Sequence, residues 1–82
     1  MNILTPHPEI VEYLRNHRLS KKFDKQIKFL KGNLSHPSLN VEVLEPKHLK
    51  IYSFRLDKKY RAIFIFVRRD LIEIIDVNNH YQ

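Results

Sequence analysis

The stretch Tyr52-Ser-Phe-Arg-Leu-Asp-Lys-Lys-Tyr-Arg-Ala-Ile-Phe64 decides the fold. Around its start, Tyr52, Phe54 and Leu56 alternate with Ile51, Ser53 and Arg55, the period-two pattern of a strand with two unlike faces. The polar run Asp57–Tyr60 reads as a tight turn. Arg61–Arg68 is nearly apolar throughout, the pattern of a central strand covered on both faces. Arg69-Asp70 then predicts a second turn, and Leu71–Val77 a further strand ending at Asn78-Asn79. The result is two consecutive hairpins.

Upstream the periodicity changes. Met1–Thr5 reads as a short edge strand stopped by Pro6 and Pro8, and Pro8 suits the first turn of a helix, where its missing N–H has no helical partner. Through Asn16, Ile10, Val11 and Leu14 fall on one side of that helix. Ser20 is placed to cap a second helix, because its hydroxyl can accept from an unpaired backbone N–H. Phe23, Ile27 and Leu30 follow at helical spacing, with Lys21, Lys22, Lys25 and Lys28 mostly off the stripe. Gly32, the only glycine, sits where a left-handed C-terminal cap would stand. Asn16–Leu19 joins the helices, Asn33–Leu39 is a loop, and Asn40–Pro46 a brief extended piece. The expected fold is α+β, with two N-terminal helices packed on a small, mainly antiparallel sheet.

The 82 residues make one domain, 1–82, with no room for a second core. A chain this short buries only about 60% of its unfolded surface, so its stability margin is thin. Fifteen Lys/Arg against nine Asp/Glu give a formal charge of +6, which favours a polyanionic partner, either nucleic acid or an acidic protein. There is no cysteine, so neither a disulfide nor a thiolate metal site is expected. The first residues carry no basic start followed by an apolar stretch, and Ala62–Val67 is the longest apolar run. Neither a signal peptide nor a membrane span is expected, and the cytoplasm is the expected compartment.

Strand alternation places the candidate chemistry. If Phe54 and Leu56 pack on the helices, Arg55 faces away from them. If Phe64 and Phe66 join the same core, Arg61 points to that same open face. Two converging guanidiniums can hold a phosphate with a bidentate geometry that Lys does not match. The plainer reading is that each merely solvates the end of the hairpin. Near the end of the chain, His80 and Tyr81 add an imidazole and a phenol, either as a solvated terminus or as partners of the arginines. An imidazole, a carboxylate and arginines together are what metal-free RNA cleavage needs. A base takes the 2′-OH proton, cations hold the charge on phosphorus, and an acid protonates the departing oxygen. Glu42 is a candidate base and Glu45 its rival; either can equally be a surface ion-pair partner. His36 reads as a loop cap, His48 as part of a basic stretch, and His7 lies between prolines. The histidines show no ligand spacing, so neither metal nor cofactor is expected. Lys47, Lys50, Lys58 and Lys59 form a basic rim, solvated or tracking a phosphate backbone.

The helical pair, the loop with His36-Pro-Ser-Leu39, the Tyr52-Ser-Phe-Arg55 and Lys59-Tyr-Arg-Ala-Ile-Phe64 segments and the terminal His80-Tyr81 together resemble the RelE/ParE superfamily of bacterial toxins, in particular its RelE/YoeB messenger-RNA interferase branch. The resemblance covers nearly the whole chain. It implies a toxin of a type II toxin–antitoxin system, neutralised by a cognate antitoxin, that cleaves messenger RNA on the ribosome as an endoribonuclease. By that resemblance Arg61 is the arginine that stabilises the phosphate, Arg55 a second cation, and Glu42 the general base. His80 and Tyr81 match the terminal pair, with general-acid and base-stacking or leaving-group roles. The ParE branch shares the scaffold but poisons DNA gyrase, so a non-nucleolytic, gyrase-directed or antitoxin-binding module is the alternative.

Overall fold

The computed structural model describes residues 1–79. The elements run β1 (Asn2–Ile3), α1 (Pro8–Asn16), α2 (Ser20–Gly32), a 3-10 turn (Pro37–Leu39), β2 (Glu42–Val43), a second 3-10 turn (Lys47–Leu49), β3 (Ile51–Arg55), β4 (Arg61–Arg68) and β5 (Leu71–Asn78). The strands form one sheet in the order β1-β5-β4-β3-β2. Among the described residues only β1 is parallel to its neighbour; the other pairs are antiparallel. This is the expected α+β architecture, two helices on a mainly antiparallel sheet.

Both helices press one stripe onto one face of the sheet. Helix α1 buries Ile10 and Leu14, and α2 buries Phe23, Gln26 and Leu30. They meet Phe54, Leu56, Ala62, Phe64, Ile72, Ile74 and Val77 from the strands. Phe54 and Phe64 lie wholly inside, their ring centroids 5.9 Å apart, and Phe23 stacks obliquely on Phe54 at 6.4 Å. Aromatic contacts at these offsets add to what burial alone contributes. The helix-facing side of the sheet is therefore fixed by the alternation of β3 and β4, and Arg55 and Arg61 are left on the other side.

Several local expectations are corrected. Ser20 lies inside α2 rather than capping it. The cap position is Leu19, with no side-chain hydrogen bond. Leu19 is only 1% exposed, so the helix starts where an apolar anchor enters the core, and that burial decides the boundary over hydroxyl capping. Gly32 is the last helical residue, and no glycine has a positive φ. Asn33 leaves the helix extended, and its side-chain carbonyl accepts from the Ser35 N–H at 3.0 Å to start the reversal. The left-handed residues are Arg18, Asn40 and Lys50 instead. Val11, expected on the buried side of α1, is 38% exposed. Strand β4 is central, but only its first half is enclosed: Arg61 to Phe64 are buried, while Val67 and Arg68 face solvent.

Candidate functional site

The β3–β4 ladder pairs Arg55 directly with Arg61, Ser53 with Ile63 and Ile51 with Ile65. Residues opposite one another in a ladder share a face, so both arginines project from the helix-free side. Their turn is held by Asp57, whose carboxylate accepts from the N–H groups of Lys59 and Tyr60, each at 2.8 Å. The same carboxylate takes Lys22 Nζ at 2.8 Å, which ties the hairpin tip to α2. Burial pushes the Asp57 carboxyl upward, but Lys22 and the two backbone donors outweigh it and leave it below its ordinary value.

Arg61 is 8% exposed, unusual for its type. Its Nε donates to Ser53 Oγ at 2.9 Å, and its Nη2 donates to the Asn40 carbonyl and, at 3.3 Å, to that of Ser53. Glu42 Oε1 lies 3.6 Å from Nη2. No acceptor among the described residues takes Nη1 in a hydrogen bond. Burial lowers the Arg61 pKa, Glu42 counters this, and Arg55 opposite lowers it further. Like charges facing each other across a ladder destabilise it, so a half-exposed carboxylate beside Arg61 is set against two positive charges, and the site favours an anion.

The clamp depends on neighbouring elements. Asn40 presents its carbonyl from a left-handed backbone, φ 44°, a conformation Asn tolerates better than most residues. It ends the 3-10 turn Pro37–Leu39, which the His36 side chain opens by accepting from the Ser38 N–H. Gln26, buried on α2, donates Nε2 to the carbonyls of Ser38 and Arg55 and accepts from Ser38 Oγ. One amide thus fixes the turn and the end of β3 together.

The predicted residues fall into three groups. Glu42, Arg55 and Arg61 are on one sheet face, with Glu42 registered against Ser53. The lysines divide: Lys58 and Lys59 lie on the turn beside Arg55, whereas Lys47 and Lys50 flank the start of β3, a strand of about 13 Å from Ile51 to Arg55. Glu45 lines a slot farther along the face. His80 and Tyr81 lie outside the described residues; Asn78, registered against Arg61, is two positions before His80. His7 pairs with Glu73 at 2.7 Å. Among the described residues, no cluster of three His, Cys, Asp or Glu could hold a metal ion, and no helix is long and apolar enough to cross a membrane.

Sequence reasoning missed Ser53, Asn40 and Gln26. Ser53 carried a signal, as the one small polar residue on the open face of an otherwise bulky strand. Gln26 carried another, lying three residues from Phe23 and four from Leu30, within the stripe that packs on the sheet. Asn40 carried none beyond its tolerance of the left-handed region.

No protein-family profile and no curated protein sequence matches this chain. Solved structures do match. The fold, two helices on a mainly antiparallel sheet, is that of solved YoeB/ParE toxin structures. Several of the similar structures are of YoeB toxins. A YoeB/ParE toxin from Agrobacterium tumefaciens superposes with a TM-score of 0.72 at 17% identity, covering 99% of this chain and 100% of that one. A YoeB–YefM complex from Staphylococcus aureus gives 0.69 at 25% identity, covering 99% and 98%. A YoeB dimer from the same organism gives 0.71 at 20%, covering 98% and 94%.

Proposed function

We propose that this chain is the toxin of a type II toxin–antitoxin pair and that it cuts messenger RNA on the ribosome, in the cytoplasm. The observation that carries this reading is a carboxylate and two guanidiniums on one sheet face, with Glu42 3.6 Å from Arg61 and Arg55 registered opposite it. Likeness to YoeB structures supports it. Glu42 takes the proton of a 2′-OH, and that oxygen attacks the adjacent phosphorus. Arg61 and Arg55 hold the charge that builds on the phosphoryl oxygens. The bond to the 5′-oxygen breaks, and His80 supplies its proton while Tyr81 packs against a base. The products are a 2′,3′-cyclic phosphate and a free 5′-hydroxyl. Lys58 and Lys59 on one side, and Lys47 and Lys50 on the other, would follow the strand as it leaves the site.

The partner is an antitoxin protein, as YefM is the partner of YoeB in the S. aureus complex. The test is inducible expression with transcript 5′ ends mapped against ribosome position. Wild-type protein gives new 5′ ends within translated codons; Arg61→Ala and His80→Ala, folded by circular dichroism, give none and relieve growth arrest. Full toxicity in both variants at wild-type abundance would refute these roles. Intact transcripts with DNA-damage signalling would assign the chain to the gyrase-directed alternative.

A further inference from the structure

Beside the arginine pair, the helix-free face carries a slot of about 580 Å³. Val43, Leu44, Ile51, Ile63 and Ile75 supply its apolar lining, and Glu45 and Asp76 stand among them. The slot adjoins the anion site. Ile63 is the next residue on the Arg61 face of β4, about 6.6 Å along the strand. Asn78, which also lines it, is registered directly against Arg61. Ile75 is 41% exposed, since no helix among the described residues covers that side, and it stands at a register shift between β4 and β5. The other side chains on this face beside the arginines, Glu42 and Ser53, are polar, so the slot is the apolar surface next to the anion site.

Resting on the nuclease reading above, we infer that this slot receives a nucleobase of the RNA strand, next to the phosphate held by Arg61 and Arg55. A nucleotide has an anion at one end and a flat apolar ring with a polar edge at the other. The arginines suit the first, and an aliphatic floor suits the second, as apolar side chains do in other base pockets. The rim sets the edge it reads. Asp76 is held by its own strand, accepting from the Val77 N–H at 2.9 Å and from Asn78 Nδ2 at 2.8 Å. Each carboxylate oxygen keeps a second lone pair. Glu45 makes no ion pair or hydrogen bond among the described residues. A rim of carboxylate acceptors favours bases that present an amino group, as carboxylates do toward cytosine N4.

The test is methyl NMR of the full chain with labelled isoleucine, titrated with a 2′-O-methyl trinucleotide that lacks the attacking hydroxyl. A second titration uses the same compound without its central base. The base-bearing compound shifts the Ile51, Ile63 and Ile75 methyls and the abasic one leaves them in place, while both perturb the Arg55 and Arg61 side-chain signals. Ile75→Ala weakens binding of the base-bearing compound on the order of tenfold and leaves the abasic one unaffected; Val67→Ala, at a site 48% exposed outside the slot, changes neither. Equal methyl shifts with both compounds, or arginine shifts alone, overturn the inference. So does a response of these methyls to an apolar peptide but not to RNA, which assigns the slot to a protein partner. Failure of the nuclease reading shows separately, as intact transcripts in the induction experiment.

Discussion

The hydrogen bond between Arg61 and Ser53 can be weighed by a double-mutant cycle. Ser53 is wholly buried, and among the described residues its Oγ is the sole acceptor for the Arg61 Nε–H, at 2.9 Å. Hydrogen bonds to charged groups contribute about 1.5–3 kcal/mol net, and removing the acceptor leaves a charged donor unsatisfied. Ser53→Ala should therefore destabilise by that amount. In a domain of this size each kcal/mol moves the midpoint by roughly 4–8 °C, so Tm should fall by about 6–24 °C. Arg61→Met removes the charge itself, together with the desolvation that lowers its pKa. Exchanging a buried charge for an apolar side chain of similar length is often neutral or stabilising by about 1–4 kcal/mol. Arg61→Met should thus cost less than Ser53→Ala although it deletes more contacts. In the Arg61→Met background the Ser53 hydroxyl has no charged donor, and Ser53→Ala should cost little. Urea unfolding of the four proteins, followed by circular dichroism at fixed pH and salt, gives the coupling. A coupling of about 1.5 kcal/mol or more is expected; additivity to within about 0.5 kcal/mol would refute the clamp.

Two further outcomes follow from the site and the hairpin. Glu42→Gln should leave the urea midpoint nearly unchanged, because the Glu42 side chain is 54% exposed and exposed ion pairs contribute at most about 1 kcal/mol; under the proposed mechanism the same change lowers transcript cleavage by roughly 10²–10⁴-fold, read by 5′-end mapping. Asp57 has a folded pKa below its ordinary value, so its contribution is present above the unfolded pKa and lost as pH falls through the folded one. Asp57→Asn should be less stable than wild type at neutral pH and should show a shallower loss of the urea midpoint between about pH 6 and pH 3.

The two faces of the sheet were legible because period-two alternation is a local property. Phe54, Leu56, Ala62 and Phe64 had to share a side, and Arg55 and Arg61 had to share the other, wherever the helices came from. Helix boundaries were less legible because tertiary burial competes with capping. At Ser20 the hydroxyl gave a correct local preference, but Leu19 one residue earlier enters the core and starts the helix. Gly32 illustrates the converse. An added Cβ there would meet nothing within 4 Å, so neither a left-handed turn nor a close approach required glycine, and its sequence position alone was misleading.

The clamp was hidden for a different reason: its members are far apart in sequence and meet only through registers that no local pattern specifies. Asn40 reaches Arg61 across 21 positions, and Gln26 reaches the Arg55 carbonyl across 29. Those contacts explain why an arginine is tolerated inside. Arg61 occupies a strand position that buries its stem, while Ser53 and Asn40 satisfy the inner edge of the guanidinium, and Glu42 only partly neutralises it. Arg55, registered opposite, keeps the local field positive. Satisfying one edge of a buried cation while confronting it with a second cation stabilises the fold less than an apolar pair would. The arrangement becomes favourable when an anion neutralises both charges, and a hairpin turn pinned by Asp57 and Lys22 holds the two guanidiniums in register until it does.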